Sequence, residues 1–185
     1  MRAEDAEALN EAFGRLSAES RRRRFLSPKG RLSGSELRYL TDVDHHHHEA
    51  LIALTPDESE LVGVARFIQL ADEPGAAEAA ITVADAWQRR GVGTQLLESL
   101  RARARAEGVT TFVTEVLPEN EQRIRALFGQ VGELSDRRGA LPVRMRFALA
   151  PDADGHDPAA ALRAAAAGAL RVVTSAVPAA LRRRP

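Results

Sequence analysis

Between Glu78 and Asn120 the hydrophobic repeat changes from two residues to 3.6 and back, and a pair of glycines marks the first change. Glu78–Ala84 (EAAITVA) reads as a strand. Thr94–Glu107 (TQLLESLRARARAE) sets Leu96, Leu97, Leu100 and Ala104 on one helical face with charges opposite, and Gly108 stops it. Val109–Leu117 (VTTFVTEVL) returns to β-branched residues, and Pro118 ends it. A strand, a glycine turn, an amphipathic helix and a second strand bury their apolar faces by laying the helix on a sheet.

The flanking segments extend that sheet. Residues 4–16 carry Ala6, Leu9, Ala12, Phe13 and Leu16 at helical spacing. Ser17–Ser20 breaks this helix and restarts a second one into the run Arg21–Arg24. Ser33 or Ser35 caps a further helix with Leu37, Tyr39 and Leu40. Ala50–Thr55 and Leu61–Leu70 form a hairpin across the polar link 56–60. Asn120–Gln130 reads as a helix and Leu141–Leu149 as a last alternating strand. The expected class is α/β (α+β layered), a mixed sheet flanked by helices in one domain over 1–150. The Ala/Arg-rich segment 151–185 reads as a tail, mobile or partly helical around 158–175.

Composition removes several functions. Lys+Arg and Asp+Glu are equal at 26 each, and the only basic runs are Arg21–Arg24 and Arg182–Arg184, so no nucleic-acid partner is expected. The absence of cysteine removes disulfides, thiolate metal sites and a catalytic thiol. No stretch approaches the roughly 20 apolar residues of a membrane span, so no membrane partner is expected. The acidic, polar N-terminus does not read as a secretory signal, and the expected location is cytoplasmic. His45–His48 could tempt a metal reading, but consecutive residues cannot all face one ion in regular structure. That run reads as a solvated segment entering the strand at Ala50, and no metal is expected.

The chemistry concentrates in Gln88-Arg89-Arg90-Gly91-Val92-Gly93-Thr94. Glycines let the backbone turn sharply and approach a ligand. The helix that follows offers unpaired N–H groups and partial positive charge, which together form a diphosphate cradle beside Arg89 and Arg90. A dinucleotide fingerprint would place a third glycine where Leu96 stands, and the Gly-Lys-Ser/Thr of a nucleotide P-loop is absent.

The stretch Ile81–Thr94 resembles the acyl-CoA signature of the GNAT superfamily of N-acetyltransferases, whose core is Gln/Arg-x-x-Gly-x-Gly/Ala. The likeness continues through Leu96-Leu97 and Val116-Leu117-Pro118-Glu119-Asn120, and covers roughly residues 4–149. Ser20–Phe25 with Leu37–Asp44 looks more particularly like bacterial members related to protein-lysine acetyltransferase domains. The resemblance implies a mostly antiparallel sheet. It also implies that the backbone of Val83 pairs with a pantetheine arm, that Gln88, Arg89, Arg90, Gly91, Val92, Gly93 and Thr94 hold the diphosphate, and that Asn120 lies near the thiol. A glutamate on the strand before the motif acts as general base in such relatives, which nominates Glu78; Glu115 is the competitor. The place of the tyrosine that protonates the leaving thiolate is held by Phe128. The usual first strand has no room in Met1-Arg2-Ala3 and is expected to be missing.

The expected function is therefore transfer of an acetyl group from acetyl-CoA, as co-substrate, to a primary amine on a protein lysine or a small molecule. The alternative is a catalytically inactive acyl-CoA-binding sensor or docking module. A homodimer is compatible with either.

Overall fold

The computed structural model describes residues 1–129, 133–135, 142–149 and 171–173. Three helices come first: α1 (Ala6–Gly14), α2 (Ala18–Phe25) and α3 (Gly34–Thr41). The hairpin β1 (His48–Leu54) and β2 (Leu61–Gln69) follows, then β3 (Ala76–Val83), α4 (Val92–Ala106) and β4 (Thr111–Val116). The chain continues through α5 (Glu121–Phe128), β5 (Glu133–Ser135), β6 (Val143–Ala148) and β7 (Arg171–Val173). These strands form one seven-stranded sheet in the order β5-β6-β4-β3-β2-β1-β7. Each paired neighbour is antiparallel except β3 and β4. The mixed, mostly antiparallel α/β layer is the one expected.

Strand alternation divides the sheet into two faces. On one, Leu51, Ala65, Phe67, Ala79 and Phe112 pack against Leu96, Leu97 and Leu100 of α4 and Phe128 of α5. On the other, Ala50, Ile52 and Leu54 meet Leu9, Phe13, Leu16 and Leu40 of the N-terminal helices. Leu96, Leu97 and Leu100 are all but inaccessible to solvent. At about 1.5–3 kcal/mol each, their burial alone is comparable to the whole net stability of an ordinary domain, about 5–15 kcal/mol. The helix that carries the glycine motif is thus fixed by its own apolar stripe.

The serine pattern sets the helix starts. Ser17 Oγ accepts from Ser20 N at the start of α2. At α3 the cap is Ser33, and Glu36 returns a bond to Ser33 N, closing a capping box.

Three features depart from the sequence expectation. Helix α4 begins at Val92, two residues before Thr94, so Gly93 lies inside it. The short strand β5 pairs with Arg144–Arg146 and has no clear sequence signature. Arg171–Val173, within the segment expected to be mobile or helical, is a strand that pairs with Ile52–Leu54. The rest of that segment, and Gln130 and Leu141 at the ends of two expected elements, lie outside the described residues. No strand precedes α1 among the described residues, and β7 takes the free edge of β1.

Candidate functional site

The two central strands separate. They pair from Ala76↔Thr111 to Glu78↔Val113 and no further. Yet β3 stays on β2 as far as Val83, and β4 stays on β6 as far as Val116. Ala84 N–H and Ala76 C=O both bond on the β2 side. By alternation, the N–H and C=O groups of Ile81 and the N–H of Val83 point into the gap, while the Val83 C=O accepts from Gln88 Nε2. An extended ligand can pair with this edge as a further strand would.

The gap opens into a cleft of about 590 Å³ that also touches α2, α4 and α5. Val83, Gln88, Arg89, Gly91, Gly93, Thr94 and Asn120 line it, as do Glu78 and Glu115. Two expected residues stand differently. Val92 sends its side chain into the core, leaving only its backbone near the cleft. Arg90 lies over the Trp87 ring, 5.1 Å from its centroid, and does not line the cleft.

At one end of the cleft, Gly91 is the N-cap of α4 with φ +82°, a conformation that glycine adopts without strain. It supplies no capping side chain, and the first intrahelical bond is Gln95 N to Gly91 O, 3.0 Å. The N–H groups of Val92, Gly93 and Thr94 are thus left for an anion, with the helix dipole behind them. Arg89, also at positive φ (59°), adds a guanidinium at the rim.

Gln88 holds this loop in place. Its Nε2 donates to Val83 O (3.0 Å) and Ser20 Oγ (3.3 Å), and its Oε1 accepts from Arg123 Nη2 (2.8 Å). Asp85 accepts from Ser17 N, Ser17 Oγ and Ser20 Oγ, tying α2 to the turn before the loop. Arg22 of α2 pairs with Glu119 in the turn after β4, joining the two lips of the cleft. Asn120 ends that turn, and its amide makes no capping bond to α5.

The other end holds the titratable groups. Glu78 and Glu115 are exposed and sit on one sheet face, because Glu78 is in register with Val113. From α2, the half-buried Arg24 reaches the cleft near Glu78. Burial pushes its guanidinium pKa down, while Glu78 and Tyr39 oppose that shift. Arg66, buried on β2, donates to Leu40 O and contacts His48 Nε2, both at 3.1 Å. Burial, and then the nearby Arg24, lower Arg66 to about 9. Burial and Arg66 likewise lower His48 to about 4. Phe128, at the place of the expected acid, packs on Phe147 with centroids 4.8 Å apart and offers no proton.

Arg24, Arg66 and Arg123 escaped the sequence reading. Arg66 carried one signal: an arginine in an otherwise apolar strand, at a position whose neighbours across the sheet are Ala50 and Ala80.

The histidine run disperses. His45 Nδ1 meets Glu49 (2.8 Å), His46 meets Glu107 (3.2 Å), His47 meets Asp44 (3.3 Å), and His48 faces Arg66. Among the described residues no group of three or more His, Asp or Glu is placed to hold a metal ion, and no helix is long and apolar enough to cross a membrane.

Comparison with known proteins agrees with this fold. The profile of the Acetyltransferase (GNAT) family matches residues 15–130. Acetyltransferase PA5475 of Pseudomonas aeruginosa is 34% identical over 110 residues, 58% of this chain and 59% of that protein. Acetyltransferase Pat of Mycolicibacterium smegmatis is 31% identical over 129 residues, 70% of this chain and 36% of that protein. The chain therefore spans about three fifths and about one third of the lengths of these relatives. The crystal structure of the GNAT domain of S. lividans PAT superposes with a TM-score of 0.71 at 29% identity, covering 80% of this chain and 87% of that one. The cAMP-binding acyltransferase from Mycobacterium smegmatis gives a TM-score of 0.55 at 26% identity, covering 78% of this chain and 44% of that one.

Proposed function

Because the chain belongs to the GNAT acetyltransferase family, we propose that it transfers the acetyl group of acetyl-CoA to a primary amine, with Glu78 as general base. The observation that carries this reading is the alignment of the opened β3 edge with the uncapped start of α4. The backbone of Val83 then pairs with the pantetheine arm. The Gln88–Thr94 loop takes the diphosphate, through backbone groups at Val92 and the guanidinium of Arg89, and Asn120 lies near the thiol end.

A lysine-type ammonium has a pKa of about 10.4, so it must lose a proton before attack. Glu78 accepts that proton, and the neutral amine forms the new C–N bond at the thioester carbonyl. The C–S bond breaks as the tetrahedral centre collapses. The nitrogen of the tetrahedral centre gives up its second proton to water, and water protonates the departing thiolate, since Phe128 has no hydroxyl. The acceptor is a protein lysine, in keeping with the N-terminal likeness to lysine acetyltransferase domains, or a small-molecule amine. A cytoplasmic location goes with this reading.

A second reading rests on Phe128: a chain that binds acyl-CoA without turnover, as a sensor or docking module. Release of free CoA from acetyl-CoA, followed with a panel of amines and lysyl peptides, separates the two. Amine-dependent release supports the enzyme. Acetyl-CoA binding without release from any amine supports the module.

A further inference from the structure

The end of the cleft beside Glu78 carries more positive charge than its own residues balance. Arg66 lies opposite Ala80 in the β2–β3 register, two residues along β3 from Glu78 and on the same face. It is 5% exposed, and its neighbours Leu40 O and the His48 ring are neutral. Arg24, unlike Arg66, lines the cleft, and it contacts the Phe25 ring, its guanidinium carbon 5.1 Å from the centroid. Among the described residues Arg24 has neither a hydrogen bond nor an ion pair. Its neighbours differ: Arg23 meets Glu19 at 2.9 Å, and Arg22 pairs with Glu19 and Glu119. Glu115, on the far wall, is in register with Arg144, which Glu73 engages at 3.0 Å.

Glu78 is the carboxylate near Arg24, and Arg66 stands close enough to Arg24 for the two guanidinium charges to oppose each other. When Glu78 takes a proton from the amine, that carboxylate becomes neutral and Arg24 loses its nearby counter-charge, with Arg66 still beside it. Partly desolvated cations without a partner are costly, and a guanidinium fork pairs bidentately with a carboxylate.

We infer that the acceptor carries a carboxylate close to its amine, and that Arg24 binds this carboxylate while Arg66 reinforces the positive field behind it. The inference rests on the reading of Glu78 as the amine end of the site. It gives the acceptor class as aminocarboxylates, whether free amino acids or lysines with an acidic neighbour in a protein.

Product-like probes test this without turnover. N-acetylglycine and N-acetyl-β-alanine, each against its own amide, are titrated by NMR onto the chain with and without CoA. A charge-assisted hydrogen bond predicts that the acids bind at least about tenfold more tightly than the amides. The preference should vanish in Arg24→Gln, return in part in Arg24→Lys, and leave acetyl-CoA affinity and the melting temperature in place. Acids and amides that bind alike, or a preference that survives Arg24→Gln, overturn the inference. Failure of CoA to bind would instead count against the proposed function, because the probe preference is read on the chain alone as well. Relative turnover of glycine, β-alanine and a Glu-flanked lysyl peptide then identifies the source of the carboxylate.

Discussion

Glu78 on β3 and Val113 on β4 are the last residues at which the two parallel strands pair. Beyond them each strand keeps its other partner, so the sheet opens without either half losing its ladder. The opening places a carboxylate at its apex and unpaired backbone along one wall. The start of α4 stands at the far end.

From this placement, Glu78→Gln should lower kcat by roughly two to four orders of magnitude, the usual contribution of a general base. Acetyl-CoA affinity should stay unchanged. Glu115→Gln, on the same face but on the opposite wall, should change kcat by less than about tenfold. Steady-state kinetics over a pH series check both, and equal losses in the two variants would move the base away from Glu78.

Gly63 on β2 lets α4 lie close to the sheet. A Cβ there would meet Leu96 Cδ1 at 2.9 Å and Thr82 O at 3.3 Å. Leu96 is fully buried, and Thr82 O, being backbone, cannot turn aside as a side chain can. Gly63→Ala should cost about 1–3 kcal/mol through overpacking, which thermal melting would register as a drop of several degrees.

Gln88→Ala removes the bonds to Val83 O, Ser20 Oγ and Arg123 together. At about 0.5–1.5 kcal/mol net for a typical bond, the loss of stability should be modest. Acetyl-CoA affinity should fall further than stability does, because the freed loop no longer presents the α4 start in one geometry. Calorimetry and melting on the same sample separate the two effects.

His48 ties stability to pH. Burial first, and the Arg66 charge second, lower it to about 4, while Asp44 and Glu49 oppose the shift and His45 adds to it. The unfolded chain therefore binds this proton more readily than the folded one. The His48 contribution is complete above about 6.5 and is lost as pH falls through about 4. Asp44, held at about 2 by backbone N–H groups of His48 and His46, adds a second loss below its ordinary value of 3.8. Urea midpoints measured from pH 7 to pH 4 should fall in the native chain and fall less steeply in His48→Gln.

Much of the layer architecture was legible because its elements are strongly periodic. The stripe Leu96, Leu97, Leu100 and Ala104, and the hairpin across 56–60, needed no tertiary information. The glycine motif was legible as a turn before a helix, but its detail was not. The positive φ falls at Gly91 and Arg89, and Gly93 is helical with Leu127 and Val83 beside its Cα. Arg171–Val173 looked helical by composition because an alanine-rich neighbourhood hides a Val-Val pair that fits an open sheet edge. Arg24 and Arg66 come together from α2 and β2, and pairing at that distance in sequence leaves no local pattern.

The most direct test of the account is calorimetric titration of acetyl-CoA into the native chain and into Gly91→Glu. An added Cβ meets no atom within 4 Å, but the substitution strains a positive φ and sets a carboxylate at the α4 start, where the proposed diphosphate site lies. The account predicts micromolar binding to the native chain and none to the variant. Absence of acyl-CoA binding to the native chain, or equal binding to both, would contradict it.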